Sequence, residues 1–188
     1  MSQINFLTAE SFKIIELLIG TKYYLREIAE KTKYAPSTVF KIVSLLSSKK
    51  MLFSKKNKNR KFFSLNYGSP LTTNALKIIS INKIITSKAF VKLTKLNPIG
   101  IYLFGSSANG KITENSDIDL AIYFETQPNS ILLSTIKREL SNGLKKEIKL
   151  IILTKNKINS MQKNNVELLN QIKNNSIILE GRELEWSW

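Results

Sequence analysis

The chain has 188 residues, 43% of them hydrophobic and 23% charged, with 29 basic against 14 acidic side chains for a net charge of +15. This is ample apolar material for packed cores, which excludes wholesale disorder, and a size suited to one large or two small domains. With no cysteine and no histidine, disulfides, Cys or His metal sites, thiol nucleophiles and His-dependent triads are excluded, and any catalysis must use carboxylates, hydroxyls, lysine or backbone amides, most naturally around a hard cation such as Mg2+.

No apolar run approaches the roughly 20 residues of a membrane span, and the opening MSQINF lacks a signal-peptide pattern, so the expectation is a cytoplasmic protein with no membrane partner. The charge is uneven: residues 1–96 hold 18 Lys and Arg against 4 Asp and Glu (+14), and residues 97–188 hold 11 against 10 (+1). A segregated basic half is a footprint for polyanions, whose attraction comes largely from counterion release. The competing reading is a lysine-rich solvated surface.

Within Ser2–Gly20, Phe6, Leu7, Phe12, Ile14, Ile15, Leu17, Leu18 and Ile19 fit an amphipathic helix with Gly20 as its stop. YLREIAEKTK sets Leu25, Ile28 and Ala29 at helical spacing. In YAPSTVFKIVSLLSSKKM, Pro36 suits a first helical position, and Val39, Ile42, Val43 and Leu46 share one face. The next stretch, MLFSKKNKNRKFFSLN, predicts two short strands, Met51–Ser54 and Lys61–Leu65, joined by a polar loop carrying Lys55, Lys56, Lys58 and Arg60. A basic hairpin after a helix-turn-helix is a wing. The helix from Pro36 would then enter the major groove of double-stranded DNA with Ser37, Thr38 and Lys41 at its outward end, while Lys55, Lys56, Lys58, Arg60 and Lys61 hold phosphates. Phe6 to Asn66 resembles the winged helix-turn-helix domains of prokaryotic transcription regulators, which also serve as protein–protein modules.

NYGSPL, with Gly68 and Pro70, reads as a boundary. From Leu71 to about Leu96 neither proline nor glycine occurs, and Leu76, Ile79, Lys83 (as an aliphatic stem), Ile84, Phe90, Val91 and Leu93 suggest one long or twice-broken helix. It would either pair two subunits as a homodimer or pack on its own domain.

NPIGIYLFGSSANG predicts a strand, Ile99–Phe104, running into Gly105 and Ser106, where glycine lets a phosphate approach the backbone. SDIDLAIYF follows. On a strand, Asp117 and Asp119 face the same way, about 6–7 Å apart, while Ile118, Leu120 and Ile122 face the other side. Two carboxylates so placed repel, and a shared divalent cation turns repulsion into coordination; the alternative is a strand end showing two aspartates to water.

The runs Gly105–Gly110 and Ser116–Leu120 resemble the DNA polymerase beta-like nucleotidyltransferase superfamily, in particular its minimal branch. The resemblance spans roughly Asn97 to Glu185, with a helix at Asn129–Lys146, a strand at Glu147–Leu153 and the closing IILEGREL. It implies transfer of a nucleoside monophosphate from a nucleoside triphosphate to a hydroxyl, with two ions of Mg or Mn held by three carboxylates. By the same resemblance Gly105, Ser106, Ser107 and Ser116 hold the triphosphate, and Asp117 and Asp119 are catalytic metal ligands. Ser107 and Asn109 stand where the family often has arginines.

The strand KEIKLIILT should supply the third carboxylate. With Ile148, Leu150 and Ile152 buried, Glu147, Lys149, Ile151 and Leu153 share the other face, and Lys149 falls where the resemblance expects aspartate. Either Glu147 reaches in as the third carboxylate, or Lys149 pairs with Asp117 or Asp119 and takes the metal's space. The second is the expectation, since unit charges near 4 Å interact by about 4 kcal/mol at an effective dielectric near 20.

The expected fold is therefore α+β: a winged helix-turn-helix domain over 1–67, a linking helical segment over 68–96, and a nucleotidyltransferase-like domain with a mixed sheet flanked by helices over 97–188. The expected function is a DNA-binding transcription regulator whose second domain is degenerate or binds nucleotide. The alternative is an active Mg-dependent nucleotidyltransferase acting on a protein, RNA or small-molecule hydroxyl, within a toxin–antitoxin module that supplies a partner protein.

Overall fold

The computed structural model describes residues 7–58, 60–164 and 166–183. Ser2–Phe6 of the first predicted helix, and Leu184 and Glu185 at the end of the second predicted domain, lie outside the described residues. The chain divides into two compact units, Met1–Ile79 with Gly110–Glu114, and Ser80–Asn109 with Asn115–Trp188. No helix of the described residues is long and apolar enough to cross a membrane.

The first unit begins with α1 (Ala9–Leu17), β1 (Lys22–Tyr24), α2 (Leu25–Thr32) and α3 (Pro36–Ser48), and continues with β2 (Leu52–Asn57) and β3 (Arg60–Leu65). Thr8 caps α1, its hydroxyl accepting from the Ser11 amide, and the Glu27 carboxylate accepts from the Tyr24 amide at the start of α2; each satisfies an amide that the helix leaves orphaned. Pro36 opens α3 as predicted, where its missing N–H costs nothing. The strands form an antiparallel sheet in the order β1-β3-β2. Val39, Val43 and Leu46 of α3 are buried with Ile14, Ile15, Leu18, Ile28, Phe63 and Leu65.

Two details of this unit depart from the sequence reading. β1 was not foreseen. The hairpin strands are longer than expected, pairing Lys55 with Phe62, Lys56 with Lys61 and Asn57 with Arg60, so Lys55, Lys56 and Arg60 stand on strands rather than in a loop, and Lys58 stays in the turn. An exposed hairpin needs no alternation of apolar side chains at its tip, because its ladder is made by backbone groups and long basic side chains can lie along it.

α4 (Pro70–Ile85) and α5 (Lys88–Thr94) follow, and the division between the units falls inside α4. Ile84, Ala89, Phe90 and Leu93 are buried in the second unit's core, so residues 80–96 of the predicted linking segment belong to that unit. Of the apolar residues spaced along it, Ile84, Phe90 and Leu93 pack within that unit and Val91 is exposed.

The second unit continues with β4 (Gly100–Phe104), α6 (Gly105–Asn109), β5 (Ile118–Tyr123), α7 (Ser130–Leu144), β6 (Ile148–Leu153), α8 (Lys155–Asn164), α9 (Val166–Asn175) and β7 (Ile177–Gly181). The sheet order is β6-β5-β4-β7. β5 and β6 run parallel, joined by the crossover helix α7, and the remaining pairs are antiparallel. This is the mixed, helix-flanked sheet expected of the α+β reading. One cluster joins Leu120, Ile122, Ile148, Leu150 and Ile152 to Phe90, Leu93, Leu133 and Leu140. A second joins Tyr102, Phe104, Ala121, Ile151 and Leu153 to Ile158, Met161, Leu169 and Ile172 of α8 and α9. Both sheet faces are thus packed, and the acidic end of β5 lies at the margin of the second face.

Candidate functional site

Asp119 lies on β5, flanked in register by Phe104 of β4 and Lys149 of β6. Asp117 immediately precedes the strand. The parallel register follows from matching apolar periods: Ile118, Leu120 and Ile122 pair with Ile148, Leu150 and Ile152, and a slip of one residue would turn both sets out of the core. That constraint brings Lys149 beside the aspartates.

Gly105 follows β4 with a φ of +70°, and a β-carbon there would collide with Asp119 Oδ2. Two independent demands, a left-handed backbone and room for a carboxylate, therefore require glycine. Burial raises the Asp119 carboxyl above its ordinary range, partly offset by the Lys149 charge and reinforced by Asp117.

The Lys149 Nζ lies 2.6 Å from Asp117 Oδ2, although the lysine side chain is 57% exposed. The hydrogen bond that Lys149 donates to Asp117 and that carboxylate's charge raise the Lys149 pKa above the usual lysine value, with smaller contributions from Asp119 and Glu147. The ammonium is thus committed to the place where the resemblance expects a metal-binding carboxylate.

The implied divalent ions do not fit this donor set. A hard cation takes several oxygen ligands, but the third strand offers a positive nitrogen here, and among the described residues no three Asp or Glu side chains come together to hold a metal. Glu147 does not join Asp117 and Asp119 in such a group. Its backbone carbonyl instead accepts from the Ile118 amide at 2.9 Å, which fixes the start of β6 against β5.

The residues expected to hold a triphosphate are unevenly disposed. Ser106 and Ser116 are partly buried, whereas Ser107, only 2% exposed, is closed to solvent. α6, which follows Gly105, has five residues.

In the first unit, Ser37, Thr38 and Lys41 are all exposed on α3, and Lys55, Lys56, Lys58, Arg60 and Lys61 are exposed along the β2–β3 hairpin. Two further residues escaped the sequence reading. Arg26 is exposed in the first turn of α2, and Phe40 stands on α3 with 61% of its surface open to water. Helical periodicity already marked position 40 as outside the Val39–Val43–Leu46 face, and an aromatic there was the signal available. Counted by unit, the first has 15 basic and 5 acidic residues (+10) and the second 14 and 9 (+5). The bias is smaller than between sequence halves because four lysines, Lys83 to Lys95, fall in the second unit.

The model of the family described as polymerase beta, nucleotidyltransferase matches residues 80–182. No curated protein sequence matches the chain. Among solved structures, a toxin–antitoxin complex with AMP-PNP is 26% identical, with 54% of this chain and 73% of that chain covered at a TM-score of 0.40. The tri-AMPylated HEPN toxin of Shewanella oneidensis in complex with MNT antitoxin is 23% identical, with 56% and 73% covered and a TM-score of 0.37. A mutant of Lactococcus lactis ZitR is 22% identical, with 52% and 64% covered and a TM-score of 0.38.

Proposed function

The chain belongs to the polymerase beta nucleotidyltransferase family, and from that premise we propose that it is a double-stranded-DNA-binding transcription regulator whose nucleotidyltransferase-like domain has lost transfer chemistry. In this reading residues 1–67 form a winged helix-turn-helix domain and residues 97–188 carry the family site in degenerate form.

The observation that carries the proposal is the Lys149–Asp117 ion pair at 2.6 Å. A metal entering beside Asp117 would have to displace an ammonium and then sit next to it. Like charges repel, and the divalent ion would meet that repulsion at the position where its third carboxylate is expected. Without metal, a triphosphate arriving at this end of the sheet meets Asp117, Asp119 and Glu147 against one lysine already paired. That balance favours a degenerate site over a nucleotide-binding one.

The DNA-binding half of the proposal is supported by the exposed cations of α3 and the β2–β3 hairpin and by the first unit's +10 charge. α3 opens on small polar side chains, Ser37 and Thr38, suited to base edges.

Two measurements on the full chain test this. Duplex DNA should bind with a steep salt dependence, and incubation with labelled triphosphates, Mg2+ or Mn2+ and cell extract should label nothing. A labelled acceptor whose signal vanishes in Asp117→Ala and Asp119→Ala would overturn the loss of chemistry. Absence of duplex binding at low salt would overturn the regulator.

A further inference from the structure

A cavity of about 760 Å3 opens in the first unit between the start of α2, the exposed side of α3 and the start of β3, lined among others by Tyr24, Arg26, Phe40, Ser44, Arg60 and Lys61. Three of these are cations, and among the described residues no carboxylate lines the groove. The manner in which the cations are held is informative. The Arg60 guanidinium lies 5.0 Å from the centre of the Tyr24 ring, and Tyr24 is itself fixed by an edge contact with Phe62, centroids 6.1 Å apart at 84°. Lys61 Nζ lies 5.6 Å from the Phe63 ring.

A ring holds a cation without neutralising it. The quadrupole of an aromatic face orients the group while leaving its N–H edges and full charge available, and a guanidinium so placed can still present its planar fork to phosphate oxygens. An ion pair would have used that charge. Phe40, also part of the lining, supplies a flat apolar surface that suits a deoxyribose or base edge.

We propose that this groove clasps a run of sugar–phosphate backbone of duplex DNA. Arg60, pre-positioned by Tyr24, and Arg26 are its phosphate ligands, and Phe40 is its apolar contact. The proposal rests on the DNA-binding reading above and adds to it a defined path for one strand across the α2, α3 and β3 surfaces. Charge complementarity selects this occupant, because a groove with three cations and no acid fits a polyanion whose phosphates recur at fixed spacing.

Salt titrations of duplex binding by the full chain decide the matter. Each phosphate contact contributes about 0.9 to the slope of log affinity against log salt. Arg26→Gln and Arg60→Gln should therefore each lower the slope by about one, and the double variant by about two. Tyr24→Phe keeps the ring and should bind as the parent does. Tyr24→Leu should weaken binding about threefold, and much less in an Arg60→Gln background. Phe40→Ala should lower affinity by one factor at every salt concentration with the slope unchanged. Lys92→Gln, in the second unit, serves as the control with no effect. Circular dichroism confirms that the variants fold, and Arg60→Lys, which keeps charge but loses the fork, should recover the slope but not the full affinity. If the parent binds duplex DNA and the slope ignores Arg26 and Arg60, the groove proposal falls while the DNA-binding reading stands. If the parent does not bind duplex DNA at all, both fall.

Discussion

In the first unit, cations rest on aromatic faces: Lys13 over Tyr34, Lys31 over Tyr23, Arg60 over Tyr24 and Lys61 over Phe63. In the second, Lys92 and Lys149 rest on carboxylates, Glu139 and Asp117, at 2.7 and 2.6 Å. The two kinds of partner leave the positive charge in different states. A ring orients a cation and leaves its field intact for an outside anion, whereas a carboxylate cancels that field where it stands. In these contacts a lysine on a ring is an offered charge and a lysine on a carboxylate a closed one. Asp117 is the consequence: a carboxylate expected to attract metal has already found its counterion.

The comparison breaks most visibly on the hairpin. Replacing Lys55, Lys56, Lys58 and Arg60 together by glutamine should lower the salt slope of duplex binding by about three to four, at about 0.9 per phosphate contact, and reduce affinity at moderate salt by about a hundredfold or more. A filter-binding or anisotropy titration reads both. An unchanged slope would mean that these charges, though open, are not the ones DNA meets.

Next in size is a charge reversal in the second unit. Lys149→Asp removes the bound ammonium and restores a third carboxylate beside Asp117 and Asp119. Three unbridged acids repel, so this variant should unfold at a lower temperature than the parent in EDTA and recover on adding Mn2+, through binding to the folded state. The parent's midpoint should ignore Mn2+, and calorimetric titration should show a clear rise in affinity for the ion in the variant, because a repelling ammonium has been exchanged for a ligand carboxylate. A parent that binds Mn2+ as well as the variant would show that the lysine turns aside and that the pairing is not a lock.

A smaller effect concerns Asp119. Its carboxyl is raised chiefly by burial, so the folded chain holds that proton more tightly than the unfolded chain. The sign is the reverse of the usual aspartate: the ionised group costs stability once pH exceeds its folded pKa, and the cost vanishes as pH falls below the unfolded value. Asp119→Asn should therefore raise the thermal midpoint at pH 7, with the advantage shrinking as the pH drops through the carboxylate range. An advantage independent of pH would point to a packing effect.

Local patterns made much of this legible in the sequence, and partner choice hid the rest. Alternation put Asp117 and Asp119 on one side of a strand, and the family resemblance put Lys149 where a third carboxylate was expected; the parallel register that sets Lys149 beside Asp119 came from the structure. The α3 face was equally readable from Val39, Val43 and Leu46. Lys22–Tyr24 was not, since three residues carry no period and become a strand only by pairing with Phe62–Ser64. α8 and α9 were unmarked because their runs are mostly polar and bury little beyond Ile158, Met161, Leu169 and Ile172. The meeting of Arg60 with Tyr24 also depends on the β1–β3 register, which sets Tyr24 opposite Phe62. The division inside α4 had no punctuation to betray it, because a helix can change cores between Ile79 and Ile84 without a break.

The smallest effect sharpens the comparison at the level of single lysines. Lys33 ends α2 with φ 62°, and Lys145 ends α7 with φ 52°, both in the left-handed region where glycine avoids a side-chain penalty. Each substitution to glycine should stabilise its own unit by about 0.5–1 kcal/mol, a rise of about 1–4 °C in a melting curve. Their effects on DNA should part company. Lys33 is exposed in the short turn leading into Pro36, Ser37 and Thr38, the end of α3 proposed to meet the major groove, and Lys33→Gly should gain stability while lowering the salt slope by about one. Lys145→Gly should gain stability and leave the slope alone. Retention of a lysine at a backbone position that disfavours it then has a reason in the first unit, where the charge is offered outward, and no such reason in the second. Equal slopes for the two variants would remove Lys33 from the DNA contact, and a slope lowered by Lys145→Gly would erase the distinction between the units.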